Sequence, residues 1–252
     1  ESNTQIILKS YPIGWVNEDN FEVRKSTIPE PGENGVIVRN IYMSVDPYMR
    51  VLMTGRASYA ESFQIGEPLR AGVVGQVSKS TNAKFSKGDF VTGKLGWEQF
   101  SLAVDGVGLS MIDPDLAPLS YYLSVLGMPG MTAYVGLLDI GEPKEGETVM
   151  VSSAFGAVGQ IVGQIAKAKG CHVVGSAGRD DKVAYVTDEL GFDAAFNYKT
   201  VHSLGEALDQ YCPQGIDVCF ENVGGAMLDA VLTSINVGAR IVVCGMISQL
   251  NL

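Results

Sequence analysis

Two rhythms of apolar and polar residues divide the chain. Over residues 1–120 the apolar positions fall in short strand-like runs, at 36–43, 72–78, 89–92 and 98–104, with turn clusters rich in Gly, Pro, Asn and Asp at 29–35 and 86–89. This pattern predicts a β-rich domain. From residue 121 onward strand-like runs alternate with helical spacing. Strands are expected at 147–153, 171–176, 194–198, 216–221 and 240–244, and helices at 160–169, near 181–190, near 203–211 and at 227–235. Such alternation predicts an α/β domain over 121–252, a doubly wound parallel sheet with right-handed crossovers. The pattern stops just after the fifth of these strands, where a six-stranded sheet of this kind needs one more unit, so the α/β domain is expected to be incomplete.

Composition narrows the class of partner. With 46% hydrophobic and 18% charged residues over 252 positions, the chain can bury a full core in two domains. A net charge of −10 argues against nucleic acid, which needs a concentrated basic face, and leaves a small molecule as the expected partner. No apolar run reaches the roughly 18 residues of a membrane helix, and residues 1–9 lack the regions of a signal peptide. Cys171, Cys212, Cys219 and Cys244 form no C-x-x-C pair and read as small buried hydrophobes in a reducing, cytoplasmic setting. None of the first 170 residues is His or Cys. Neither the zinc ligands of an alcohol-oxidising site nor a structural four-cysteine lobe can be built there, and no metal is expected.

The chemistry concentrates after the strand at 147–153. Ala154-Phe-Gly156-Ala157-Val158-Gly159 is an A-x-G-x-x-G turn between strand and helix, the context in which this pattern means dinucleotide binding. Gly156 lets the backbone approach a pyrophosphate, Gly159 lets helix and strand pack closely, and the helix start presents free N–H groups to phosphate. An NAD site places Asp or Glu at the tip of the next strand, roughly 20 residues on. Here the tip reads Ser176-Ala-Gly178-Arg179-Asp-Asp-Lys182. Gly178 leaves space where a carboxylate would stand, and Arg179 and Lys182 can neutralise a 2′-phosphate. Asp180 and Asp181 read as first-turn residues of the following helix. The expected cofactor is NADP(H).

Longer strings add to this. Met43-Ser-Val-Asp-Pro-Tyr-Met-Arg50, Gly127-Met-Pro-Gly-Met-Thr-Ala-Tyr134, the stretch 153–167, Gly191-Phe-Asp-Ala-Ala-Phe-Asn-Tyr-Lys199, Phe220-Glu-Asn-Val-Gly-Gly225 and Val243-Cys-Gly-Met-Ile-Ser248 occur in this order. Together they span the chain, which resembles the zinc-independent medium-chain dehydrogenase/reductases. The resemblance is to the leukotriene B4 dehydrogenase, prostaglandin reductase and alkenal double-bond reductase group, with its bacterial curcumin-reductase-like members. It implies a GroES-like β domain followed by a Rossmann domain, both incomplete here because the family's last segment finishes the Rossmann sheet and returns to the first domain, and a homodimer in the full-length protein. It also implies that Gly156, Ala157, Val158 and Gly159 contact the cofactor. Lys182 and Tyr198 would flank its 2′-phosphate and adenosine end, and Asn222 its ribose. The loop Cys244, Gly245, Met246, Ile247 and Ser248, with Met131 and Thr132, would run near the nicotinamide. Tyr48, beside Arg50, would line the substrate cleft. The family's enolate-stabilising tyrosine lies beyond these residues, and Leu250 stands where a tyrosine is common, so Leu250 is given no polar contact.

Without a metal to polarise an alcohol or ketone, the suited reaction is reduction of a polarised C=C: hydride to the β-carbon of an enone or enal, with enolate charge met by a positioned hydroxyl such as Tyr48 or the cofactor ribose 2′-OH, and a proton to the α-carbon. Each residue also has a plainer reading. Tyr48 reads also as a packing aromatic in the turn after Pro47, Arg50 reads first as a structural ion-pair partner, and Tyr59 reads equally as cleft mouth or surface. Cys244 reads also as a core thiol that serves only through its backbone. His172 and His202 are not expected in the chemistry, Asp46 reads as a turn residue, and the acidic stretch 142–147 as a solvated loop. Two alternatives remain open, an NADPH:quinone oxidoreductase and a non-catalytic NADPH-binding protein.

Overall fold

The computed structural model describes residues 2–251, which form two compact units, 2–123 with 251 and 124–250. The first is antiparallel throughout. Strands β1 (Ser2–Leu8) and β2 (Phe21–Thr27) pair as a two-stranded ribbon running from Ser2 opposite Thr27 to Leu8 opposite Phe21. Strands β3 (Val36–Met43), β4 (Arg70–Ser80), β5 (Phe90–Gly96), β6 (Phe100–Ala103) and β7 (Ser110–Met111) make a five-stranded sheet in the order β6-β3-β4-β5-β7. A short helix α1 (Tyr48–Leu52) follows Pro47. Val36, Val38, Val73, Val77 and Val91 alternate into one core, while Leu8, Met49, Leu52, Phe63 and Leu69 form a second around α1.

The ribbon was not foreseen. β2 carries Glu22, Arg24 and Lys25 among its few apolar residues, and its side chains are mostly exposed, so little apolar alternation marks it. Asp46 does act as a turn residue, its carbonyl accepting from the Met49 N–H at 3.1 Å, but the turn continues as α1.

The second unit opens with α2 (Met128–Val135), continuing as a wider-wound turn over Gly136–Gly141. Strand β8 (Thr148–Val151), helix α3 (Ala157–Ala168), β9 (His172–Ala177), α4 (Asp180–Asp188), β10 (Ala194–Asn197), α5 (Leu204–Tyr211), β11 (Ile216–Glu221), α6 (Gly225–Leu232) and β12 (Ile235–Val243) follow. All strand pairs are parallel, in the order β10-β9-β8-β11-β12. This is the doubly wound arrangement predicted, a GroES-like β unit and a Rossmann unit in one chain. Alternate residues of the central strands supply the two faces. Val149, Val151 and Val173 pack under α3, whereas Met150, Val174 and Cys219 pack under α5 and α6. Each such buried side chain contributes about 1.5–3 kcal/mol.

Several boundaries differ from expectation, those of α3, α6 and β12 in the second unit among them. α3 starts at Ala157, directly on the glycine turn. α6 ends at Leu232 rather than 235, and β12 starts at Ile235, five residues before the expected strand, because Thr233-Ser-Ile-Asn-Val favours extension over helix. The acidic stretch is only partly solvated. Glu147 is half-buried and bonds the Arg240 guanidinium, which also donates to the carbonyls of Gly141 and Glu142.

Candidate functional site

Reversal of strand order between β8 and β11 leaves a crevice beyond their carboxyl ends, where a doubly wound sheet takes its ligand. After β8 the chain turns sharply. Ser153 sits in the left-handed region at φ 53°, and its carbonyl accepts the Gly156 N–H at 2.8 Å. Gly156 caps α3, and no side chain among the described residues caps that end. The N–H groups of Ala157, Val158 and Gly159 therefore meet no acceptor among the described residues and remain available to an anion. A Cβ on Gly159 would lie 2.4 Å from the Ser153 carbonyl oxygen, so only glycine lets helix and turn approach this closely.

The tip of β9 gathers four predicted residues. Arg179 is the residue before α4, and Asp180 and Asp181 occupy its first turn as expected. Asp180 accepts from the Asn197 amide at 2.6 Å. Arg179 is not free, however: its Nε donates to Asp181 at 2.8 Å, and this partner holds the Asp181 carboxyl below the usual carboxylate range. Gly178 also differs from its expected role. The space its side chain would take is filled by Tyr198, whose hydroxyl would stand 2.8 Å from a Cβ at 178. A carboxylate is thus excluded by an aromatic ring rather than by open space. Lys182 lies with Nζ 4.9 Å from the centroid of the Phe155 ring.

At the tip of β11 sits a residue that the sequence reading passed over. Glu221 is fully buried. Its carboxylate accepts from the Ser152 hydroxyl at 2.9 Å, from the Gly224 N–H at 2.7 Å and from the Val223 N–H. Asn222 donates its backbone N–H to the Ser152 hydroxyl and its side-chain amide to the Ser152 carbonyl, both at 2.8 Å. Ser152 and Glu221 thereby lock the β8 and β11 tips together. The signal was available as a carboxylate closing an apolar run just before Asn-Val-Gly-Gly.

The loop 244–248 is laced onto the same tip. Cys244 and Gly245 donate N–H to the Glu221 carbonyl at 2.9 and 3.1 Å, Ile247 to that of Asn222 at 3.2 Å, and Ser248 to that of Val223 at 3.0 Å. Cys171, Cys212 and Cys219 are buried as predicted, but Cys244 is exposed because it follows the last sheet residue, Val243. Burial pushes the Cys212 thiol up to about 12, and raises Cys219 with help from the neighbouring Glu221 carboxylate. Met131 and Thr132 lie on α2.

In the first unit Tyr48 opens α1, packs against the Leu8–Leu52 core, and has Lys94 Nζ 5.8 Å from its ring centroid. Burial, then the nearby Asp46 and Tyr59, raise its phenol above the ordinary value. Arg50 is structural, but not through an ion pair among the described residues. It donates to the Gly14 carbonyl at 2.9 Å and to Asn251 Oδ1 at 2.9 Å. Tyr59 is 75% exposed. A cavity of about 410 Å³ lined by Ile6, Glu18, Phe21, Val23 and Trp97 contains none of these residues. Among the described residues no three His, Cys, Asp or Glu side chains are grouped to hold a metal ion.

Residues 4–112 match the family described as N-terminal domain of oxidoreductase, and residues 157–251 that described as zinc-binding dehydrogenase. The chain is 52% identical to the NADP(+)-dependent 2-alkenal reductase of Nicotiana tabacum, covering 100% of this chain and 74% of the relative. It is 48% identical to prostaglandin reductase 1 of Mus musculus, covering 97% and 72%. Among solved structures, CurA from Vibrio vulnificus in complex with NADPH superposes with a TM-score of 0.93 at 45% identity, over 98% of this chain and 73% of that one.

Proposed function

The chain belongs to the zinc-independent medium-chain dehydrogenase/reductases, in the group of the alkenal and prostaglandin reductases, and from that membership we propose that it reduces the C=C bond of α,β-unsaturated aldehydes and ketones. It is an NADP-dependent oxidoreductase acting on CH–CH bonds, with NADP(H) as cofactor. A small-molecule enone or enal is the proposed substrate.

The residues present fit the cofactor. Open N–H groups at the start of α3 suit a pyrophosphate, and Gly159 permits the tight approach behind them. The observation that carries the preference is the β9 tip, where Tyr198 occupies the carboxylate's place and Lys182 and Arg179 supply positive charge. Asn222 and the 244–248 loop, held by the Ser152–Glu221 lock, are assigned to the ribose and nicotinamide half, with Met131 and Thr132.

When bound, NADPH supplies the hydride that adds to the β-carbon of the substrate. The chain's own task is then to orient the acceptor and to meet the negative charge that develops on its carbonyl oxygen until a proton from solvent adds at the α-carbon. Tyr48 is assigned that second role, as a half-buried phenol at the start of α1. Arg50, by its bonds to Gly14 and Asn251, holds the chain around α1 in place rather than taking part in the chemistry. Tyr59, exposed on the loop after α1, is assigned to the mouth of the cleft.

The test is an acceptor comparison. NADPH oxidation should be rapid with an alkenal, whose product is the saturated aldehyde, and slow with a small quinone or with the matching saturated aldehyde. Faster turnover of the quinone would replace this reading with a quinone reductase, and NADPH binding without turnover of either acceptor would replace it with a non-catalytic binder.

A further inference from the structure

The fingerprint A-x-G-x-x-G leaves its second position unspecified, and this chain fills it with Phe155. That ring is not idle. It packs partly buried against the α3 core, and its backbone carbonyl is pinned by the Gln160 side-chain amide at 2.7 Å. From α4, two residues three positions apart bear on it from one helix face. Tyr185 meets it edge-on, with centroids 5.4 Å apart and planes at 78°. Lys182 places its ammonium 4.9 Å from the ring centroid.

We propose that Phe155 is a specificity-determining positioning residue: a ring on the nucleotide turn that holds the Lys182 ammonium ready for the 2′-phosphate. The inference rests on the assignment of Lys182 to that phosphate and adds what presents it there. A lysine on a four-carbon stem loses much rotamer freedom when it binds a point target. An aromatic face attracts the ammonium while leaving N–H donors for phosphate oxygens, so part of that freedom is surrendered before the ligand arrives. The neighbouring arginine cannot substitute without first leaving Asp181.

NADH makes the experiment discriminating, because it shares every contact except the 2′-phosphate. Dissociation constants for NADPH and NADH are measured by titration calorimetry on the full chain, for the parent protein, Phe155→Leu, Phe155→Tyr, Lys182→Ala and the double variant Phe155→Leu/Lys182→Ala. A cation–ring contact at a partly exposed site corresponds to a change of about two- to fivefold. Phe155→Leu should weaken NADPH by that factor and leave NADH unchanged, Phe155→Tyr should restore the parent value, and Phe155→Leu should have no further effect once Lys182 is absent. Equal weakening of both cofactors, or an undiminished effect in the Lys182→Ala background, assigns Phe155 to turn packing alone and overturns the inference. If Lys182→Ala itself leaves the NADPH-to-NADH ratio unchanged, the assignment of Lys182 fails first and this inference fails with it.

Discussion

A methyl group on Gly178 would stand 2.8 Å from the hydroxyl of Tyr198, so the tip of β9 is shaped by a residue 20 positions further along the chain. Gly178→Asp, the change that would install an NAD-type carboxylate, should therefore not create NADH preference. The expected outcome is weaker binding of both cofactors, whereas Gly178→Asp with Tyr198→Ala should regain NADH affinity. Calorimetric titration of the two variants checks this, and a single Gly178→Asp that prefers NADH would overturn the steric account.

Asp181 holds Arg179 by a charge-assisted pair on an exposed surface. Asp181→Asn should release the guanidinium and remove a nearby negative charge, tightening NADPH by a few-fold at low salt and leaving NADH unchanged. The gain should fade as ionic strength rises, which a salt series of dissociation constants would measure.

Glu221 accepts two backbone N–H groups and the Ser152 hydroxyl in a fully buried site. Glu221→Ala orphans the Val223 and Gly224 N–H groups and leaves the Ser152 hydroxyl a long bond to the Phe220 carbonyl, and each buried unpaired group costs about 1–3 kcal/mol. Urea unfolding should show a loss of several times the loss for Ser152→Ala. Equal losses would mean that water takes over the carboxylate's role.

Glu147 lies below the ordinary carboxylate range mainly because Arg240 bonds it. A depressed folded-state value stabilises the protein above the unfolded-state pKa, and that contribution is lost as pH falls from about 4.3 through the folded value. Arg240→Met should flatten this part of the acid-stability profile while lowering stability at neutral pH. Thermal midpoints recorded between neutral and acid pH test the sign.

Tyr48→Phe should lower kcat by on the order of 10²-fold while leaving the NADPH dissociation constant unaltered. An unchanged kcat would remove Tyr48 from the reaction and leave it as a packing residue of α1.

Legibility in the sequence followed the range of the interactions involved. Gly156 and Gly159 could be read directly, because a local backbone requirement maps onto one residue type. The strands β8 and β11 could be read because burial on both faces leaves continuous apolar runs. Tyr198 over Gly178 could not, since contacts between distant positions leave no local pattern. Helix α2 was hidden by Gly127, Pro129, Gly130 and Gly136, which dilute helical spacing yet suit its first turn and close packing. Glu221 was missed for a different reason: a carboxylate in a strand reads as an exposed residue until its three donors are seen.

The Ser152–Glu221 lock has a consequence for how such a protein can diverge. It fastens the tips of β8 and β11, while the side chains proposed to discriminate, Arg179, Lys182 and Tyr198, lie in the turn after β9, on α4 and just after β10. On that proposal, retention of the nucleotide and choice between its two forms are held by separate parts of one sheet edge. Substitutions in lineages that exchange one coenzyme for the other can accumulate around residues 178–182 and 198 without loosening the grip on what both coenzymes share.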